Sequence, residues 1–213
     1  MTWLMRNWDQ VAVALGQHVT ISLTALVIAF AIALPIGIWA ARSQRVYATA
    51  IAVAGFLYTI PTLAFLALLI PIAGLGRTNA IIAMVAFALL ALIRNVATGL
   101  REVPADVVDA ARGMGMSARQ SLWRVELPLA LPAVLAGIRL ATVSTIGLVT
   151  VTFIVDRGGL GRFINDAQQR DFRTPLVVGT VLSVVLAVVA DLALVGVQRR
   201  LTPWRRTVAG AAR

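Results

Sequence analysis

The chain contains, at residues 109–128, the stretch DAARGMGMSARQSLWRVELP, which is the longest polar segment between its apolar runs. Pro104 is typical of a helix start, and Ser117 followed by Gln120 has the spacing of a capping box. Two glycines between these signals favour a bend. We therefore predict two short helices separated by a glycine bend, in a polar loop over residues 101–128. Such a loop would lie at a membrane surface and fit a cleft in another protein, and a plain amphipathic linker is the alternative.

The composition indicates a membrane protein. Of the 213 residues, 60% are hydrophobic, above the roughly 45–50% usual in soluble domains. The net charge of +10 comes from arginine alone. Most arginines lie between or after the apolar runs, which indicates topology rather than nucleic-acid binding. The absence of cysteine excludes disulfides and thiolate chemistry. The single histidine, His18, argues against a histidine metal site or a catalytic triad, and we expect it to be solvated at the mouth of a span.

Five membrane spans are predicted, which makes the protein an all-α membrane protein. An extracytoplasmic segment (1–16) precedes the transmembrane domain (17–198), a basic cytoplasmic tail (199–213) follows it, and residues 156–173 are expected to form a loop. A cleaved signal peptide is the alternative for the first apolar run, but that run is too long and its arginines follow rather than precede it. The expected spans are residues 19–41, 48–73, 79–100, 129–153 and 175–198.

The odd number of spans places the termini on opposite sides of the membrane, and the arginines decide the orientation. If the polar loop and the C-terminal tail are inside, twelve arginines are cytoplasmic, six are outside and Arg139 lies within a span. Cytoplasmic segments carry the excess of positive charge in membrane proteins. We therefore expect the N-terminus outside and the C-terminus inside.

Four residues within the predicted spans are unusual for a lipid environment. Pro61 lies near the middle of the second span, where it is either a hinge or a tolerated proline. Arg94 lies near the inner end of the third span and can extend to the cytoplasmic surface. Arg139 and Asp191 are costly inside a bilayer, so each is expected to face protein or water. These charges are candidates for a bundle-stabilising ion pair or for gating and lining a transport path.

The spacing of the polar loop resembles the EAA signature of binding-protein-dependent ABC importer permeases. That signature is Glu-Ala-Ala, three intervening residues, a glycine, nine intervening residues, and then Ile-x-Leu-Pro. Here Asp109 replaces the glutamate and Val125 the isoleucine, with the spacing intact. The resemblance implies the type I importer transmembrane fold and a loop that docks on an ATP-binding subunit. The residues that it assigns to this coupling are Asp109, Ala110, Ala111, Gly115, Val125, Leu127 and Pro128.

The resemblance extends over residues 17–204 and is closest to the permeases for glycine betaine, carnitine and choline. It is carried by IPTLA at 60–64, LIRN at 92–95, AGIR at 136–139 and GGLG at 158–161, although the last is also similar to methionine-type permeases. It implies a permease subunit of an ATP-driven importer, located in a bacterial-type cytoplasmic membrane. The implied partners are an ATPase that carries ATP and magnesium, an extracytoplasmic substrate-binding protein, and a second permease copy or a paralogue.

A permease for methionine or another amino acid is the alternative within transport. A passive channel would not need the docking loop, and no Ser/His/acid set, metal cluster or paired intramembrane carboxylates in the sequence supports a membrane-embedded enzyme. The sequence has no G-x-x-x-x-G-K-[ST] phosphate loop, so we expect no ATP hydrolysis, catalytic residue, metal or cofactor in this chain. The span aromatics are expected to serve packing more than cation–π contacts; they are Phe56, Tyr58, Phe65, Phe87 and Phe153.

Overall fold

Long uncharged runs fold as helices because hydrocarbon offers the backbone no hydrogen-bond partners. The computed structural model describes residues 2–156, 158–170 and 173–203, and within these residues it contains helices and turns but no strand. The helices are α1 (Thr2–Arg6), α2 (Trp8–Arg42), α3 (Gln44–Thr59), α4 (Thr62–Ala73), α5 (Arg77–Arg101), α6 (Ala105–Gly113), α7 (Ala118–Ser121), α8 (Leu127–Val149), α9 (Phe153–Asp156), α10 (Gly161–Arg170) and α11 (Arg173–Leu201), and a π-helical turn (Leu122–Glu126) joins α7 to α8.

The helices correspond in number and order to the predicted spans. Within the described residues, four continuous helices are long and apolar enough to cross a membrane, namely α2, α5, α7 with α8, and α11. Helices α3 and α4 form a fifth crossing when the pair counts as one broken span. We call the end of the bundle where α2 and α5 finish and α8 begins the loop end, and the opposite end the far end.

Helix α5 is the centre of the bundle, and its neighbours approach it through small residues. Helix α2 buries a stripe of small side chains at four-residue intervals, from Ala25 to Gly37. A Cβ atom on Gly37 would lie 2.5 Å from the Val96 side chain of α5. On the other side, a Cβ on Gly137 of α8 would lie 2.4 Å from the Cβ of Asn95. Such close backbone approach is the usual basis of helix packing in membranes, where lipid removes the hydrophobic driving force.

Helix α2 begins at Trp8, so the second half of the segment predicted at 1–16 and the first predicted span belong to one continuous helix. The polar prelude continues the helix because its inward side has a partner at the far end. Val11 packs there with Leu160 and Phe163, and all three are buried. Tertiary packing therefore extends the helix beyond the apolar run that hydropathy detects.

The second predicted span, 48–73, is not one bent helix but two helices that meet at an angle of 100°. Helix α3 ends at Thr59, and Ile60 and Pro61 have extended ψ angles of 126° and 130°. The residue before a proline is disfavoured in helical conformation, which explains why the chain leaves the helix at Ile60. Proline at this position breaks the span rather than only bending it.

The predicted loop at 156–173 contains the ten-residue helix α10. Apolar side chains at helical spacing, Phe163 and Ala167, are buried, and this face was overlooked because the segment is polar on average. At the other terminus, α11 continues to Leu201, and residues 204–213 of the predicted tail lie outside the described residues.

Candidate functional site: the polar loop and the intramembrane charges

The polar loop begins with α6, which follows Pro104 as predicted. Its side chains divide between two sides. Ala111 is only 1% exposed and packs inside this chain, whereas Asp109 and Ala110 are exposed. The carboxylate of Asp109 accepts a 3.3 Å hydrogen bond from Arg112, one turn further on, and both side chains remain mostly exposed. Of the Asp-Ala-Ala triplet, only the first two residues are therefore available to another protein.

Gly115 ends α6 in a left-handed turn. Its φ is 80°, a conformation that other residues adopt only at a cost. The Gly115 N–H donates to the carbonyl of Arg112 at 2.9 Å, and the Met116 N–H donates to that of Ala111 at 3.1 Å. This pair of bonds is the Schellman motif, which satisfies the last carbonyls of a helix. The backbone geometry thus favours glycine at this position of the signature.

The second helix starts with the predicted capping box. The Ser117 hydroxyl accepts from the Gln120 N–H at 3.3 Å, and the Gln120 side-chain oxygen accepts from the Ser117 N–H at 2.8 Å. The two bonds satisfy backbone donors at the start of a helix, which have no partner within it. The predicted shape of two helices around a glycine bend is therefore present.

The second helix was predicted to be separate and short. Instead, it is the first part of the fourth span. Helix α7 passes through the π-helical turn into α8, and the Leu127 N–H donates to the carbonyl of Leu122, five residues earlier. Pro128 has no N–H for the next α-helical bond, so the ladder is already interrupted where the wider turn lies. Val125 and Leu127 are half-buried, and Pro128 is exposed.

Sequence reasoning missed Glu126, which is the buried acid of the loop. Its side chain is 3% exposed and forms an ion pair with Arg42 at the end of α2. It also accepts a 3.0 Å hydrogen bond from the Ser121 hydroxyl. The available signal was a lone acid directly before Leu127-Pro128, at the start of a span, where an unpartnered charge would be costly.

Within the membrane region, the structure brings Arg139 of α8 and Asp191 of α11 together. Two parallel hydrogen bonds join them, from Arg139 Nε to Oδ1 at 2.8 Å and from Nη2 to Oδ2 at 3.0 Å. Arg139 Nη1 also donates to Gln198 Oε1 at 3.4 Å. The paired side chains are 32% and 30% exposed. This two-point geometry is specific to arginine and carboxylate, and it satisfies most of the donors that lipid would leave without partners.

Arg94 does not take part in this cluster. Its side chain is exposed, and it has no ion pair within the described part of the chain. It lines a groove of about 200 Å³ together with Tyr58, Phe87 and Ser144. The rings of Tyr58 and Phe87 meet edge to face, 6.0 Å apart. Tyr58 lies in the last turn of α3, so the groove opens beside the break at Pro61.

His18 is fully buried, which corrects the expectation that it is solvated. Its Nδ1 accepts from the Leu160 N–H at 3.3 Å, and its Nε2 lies 2.9 Å from the carbonyl of Ile146. A backbone N–H can only donate and a carbonyl can only accept, so the ring is neutral with its proton on Nε2. The imidazole therefore joins α2, α8 and the glycine-rich segment before α10, and its role at the far end is structural.

Asp156 is a carboxyl group at the far end of the bundle, and its pKa is raised from the ordinary value. Burial raises the pKa of its carboxyl, and the nearby Arg77 lowers it by less. One carboxylate oxygen, Oδ2, has no hydrogen-bond partner within the described residues. Ionised Asp156 is therefore less well satisfied in the fold than in water.

The fold and the loop together define a class of protein, a multi-pass membrane component whose polar loop carries an EAA-type signature. The family described as binding-protein-dependent transport system inner membrane component matches residues 33–203. The chain belongs to this family.

Curated relatives are similar over nearly the whole chain. The carnitine transport permease protein OpuCB of Listeria monocytogenes is 38% identical, over 95% of this chain and 93% of the relative. The choline transport system permease protein OpuBB of Bacillus subtilis (strain 168) is 34% identical, over 94% and 93%. The predicted similarity to osmoprotectant permeases is confirmed. Among solved structures, a chain of the MetNI methionine ABC transporter in an inward-facing conformation covers 92% of this chain and 97% of its own, with 22% identity and a TM-score of 0.83, which confirms the type I fold.

Proposed function

We propose that the chain is the permease subunit of an ATP-driven importer for small quaternary-ammonium osmoprotectants, namely glycine betaine, carnitine or choline. The names of the relatives, which are 34–38% identical over almost their full length, support this substrate class. The methionine transporter supports only the fold at 22% identity, so it does not favour methionine as a substrate.

The polar loop is the observation that carries the proposal. Its exposed side presents Asp109, Ala110 and Gly115, while Ala111 and Leu127 anchor it to the bundle. A short helix whose end is fixed by a Schellman motif is a defined shape for a cleft in a partner. Because α7 continues into a span, a force on the loop is applied directly to a transmembrane helix. The partner is an ATPase subunit that binds ATP and magnesium, and this chain itself is neither an enzyme nor a cofactor-binding subunit.

The orientation follows from the charges. The loop end holds the polar loop, and Gln198 near the end of α11 lines the same cavity as Glu102. The start of α2 lies at the far end, where Gln10 accepts from Arg162 at 3.0 Å. With the arginine-rich loop end in the cytoplasm, the N-terminus is outside and the C-terminus inside a bacterial cytoplasmic membrane. The far end then receives the substrate-binding protein.

A second permease subunit, either a copy of this chain or a paralogue, completes the assembly. The Arg139–Asp191 pair is about one-third exposed on the single chain, and a charged pair is unfavourable against lipid. This face is therefore covered by the second subunit or by the water of the transport path. The break at Pro61 serves as a hinge, and the groove that contains Arg94 lies on the path beside it.

Transport in cells tests the proposal. The permease is expressed with a candidate ATPase and a candidate binding protein in a strain that lacks other osmoprotectant importers, and uptake of radiolabelled glycine betaine, carnitine, choline and methionine is measured. We expect uptake of at least one quaternary-ammonium compound and none of methionine. Methionine uptake alone would contradict the substrate class.

The role of the loop is tested by Ala110→Trp, because Ala110 is an exposed residue of the signature. Ala48→Trp is the matched control, since Ala48 is also an exposed helical alanine but lies on α3. We expect Ala110→Trp to insert normally and to lose co-purification with the ATPase, while Ala48→Trp retains it. Ala111 is unsuitable for this test, because its side chain is buried within the bundle. Normal ATPase binding by Ala110→Trp would refute docking through α6.

A further inference from the structure

Both ends of the polar loop contact the same place, the C-terminal turn of α2. At the start of the loop, Arg101 donates from Nη2 to the carbonyl of Ala40 at 2.7 Å and from Nε to that of Ala41 at 3.4 Å. These carbonyls are among the last of α2 and lack partners within the helix. The guanidinium of Arg101 also lies 4.2 Å from the ring centroid of Tyr47 on α3, so it contacts both helices.

At the other end of the loop, the buried Glu126 pairs with Arg42, the last residue of α2. The same carboxylate accepts from Ser121, so each oxygen has one partner. A buried carboxylate needs such compensation, and it therefore holds its partner in a defined position. Arg101 and Glu126 thus attach the loop to one helix end from two sides.

The polar loop does not need these contacts with α2 in order to form its own turn. The Schellman bond from Met116 to Ala111 and the capping box of Ser117 and Gln120 complete the turn of the loop without any contribution from Arg42. Only Ser43 separates α2 from α3, and its hydroxyl accepts from the first turn of α3 at 3.4 Å. We call Arg42, Ser43 and Gln44 the α2–α3 joint.

We propose that Glu126 and Arg42 are positioning residues that attach the polar loop to the α2–α3 joint, so that displacement of the loop moves α3 and the broken span as well as α8. This rests on the proposed function, in which the loop docks on an ATPase. Helix α8 receives the displacement through its own backbone, and α3 receives it through the ion pair. The pair therefore couples the movements of two crossings, α3 and α8, which both contact α5.

The test compares transport with ATP hydrolysis in proteoliposomes that contain the permease, its ATPase and its binding protein loaded with glycine betaine. Glu126→Gln and Arg42→Gln are expected to co-purify with the ATPase as the wild type does. The ratio of glycine betaine transported to ATP hydrolysed is expected to fall by about three- to tenfold, which is within the range of coupling changes caused by single residues. Combining the two substitutions should add little, because they remove the same contact.

Two variants serve as controls. Arg42→Lys retains the charge and is expected to keep the ratio within about twofold of the wild type. Arg45→Gln removes a neighbouring arginine that has no ion pair within the described residues, and it is expected to leave the ratio unchanged. A wild-type ratio in both Glu126→Gln and Arg42→Gln would overturn the proposal. Loss of ATPase co-purification in both would also overturn it, since the pair would then only maintain the loop.

A second measurement depends on neither partner. The chain contains no cysteine, so spin labels at Gln44→Cys and Ala118→Cys, both at exposed positions, report the distance between the joint and the loop in nanodiscs. We expect a narrow distance distribution in the wild type and a broad one with Arg42→Gln. Equal widths would overturn the attachment, whereas failure of the wild-type complex to bind the ATPase would refute the proposed function instead.

Discussion

Replacing Gly115 by alanine measures how far the left-handed turn sets the shape of the polar loop. No heavy atom lies within 4 Å of the position where a Cβ on Gly115 would be, so the added methyl group meets no neighbour. The remaining cost is that of the backbone, since φ is 80°. A left-handed conformation costs an ordinary residue about 1–2 kcal/mol. The ratio of formed to open turn should therefore fall by about 5- to 30-fold.

Gly113→Ala is the matched control for this change. The surroundings of Gly113 are equally open, but it is the last residue of α6, where alanine is favoured over glycine by up to about 1 kcal/mol. Hydrogen exchange at the Met116 amide reports the turn directly, because this amide donates to the carbonyl of Ala111. We expect about 5- to 30-fold faster exchange in Gly115→Ala and unchanged or slower exchange in Gly113→Ala. Equal exchange in the two variants would refute the role of the left-handed backbone.

Three further predictions concern the bundle. Asp191→Asn should lower the melting temperature in nanodiscs, because it leaves Arg139 without its counter-charge. The double variant Asp191→Asn/Arg139→Gln should recover part of this loss. Equal melting temperatures of the wild type and Asp191→Asn would contradict the ion pair. Asp156→Asn should raise the melting temperature at about pH 7, because burial raises the pKa of this carboxyl and its ionised form is unfavourable in the fold. The difference should vanish as the pH falls through the raised pKa towards the ordinary value of 3.8, and a gain that persists in acid would indicate another cause. Gly137→Ala should destabilise the protein by about 1–3 kcal/mol through overpacking against Asn95. Gly147→Ala should not, since nothing lies within 4 Å of its added Cβ. Similar unfolding midpoints of the two variants in detergent would contradict tight packing of α8 against α5.

The shape of the polar loop could be predicted from the sequence because short-range bonds determine it. The capping box joins residues three apart in the chain, and the bend depends on one glycine. The position of the break at Pro61 could also be predicted from the sequence, since proline restricts the conformation of the residue before it. The angle of 100° between α3 and α4 could not be predicted, because it depends on how α4 packs against α5.

Contacts between residues that are far apart in the sequence could not be predicted from it. His18 contacts Ile146 and Leu160, which are 128 and 142 residues away, and no local pattern distinguishes a buried histidine from a solvated one. The partner of Glu126 lies 84 residues earlier. Arg139 and Asp191 were candidates for pairing only because each is costly alone in a membrane, which is a constraint that composition reveals even when geometry is unknown.

The length of α2 has a consequence for how the two faces of the membrane communicate. At 1.5 Å per residue, its 35 residues extend for about 52 Å, whereas the hydrocarbon core is only about 30 Å thick. Even at a tilt of about 40°, the helix extends for about 40 Å along the bilayer normal, so both of its ends reach beyond the hydrocarbon core. One helix therefore extends beyond the hydrocarbon core on both sides of the membrane. When α2 tilts as a rigid body, displacement of one end moves the other end in the opposite direction. A movement at one membrane surface can therefore reach the other surface without a chain of side-chain rearrangements.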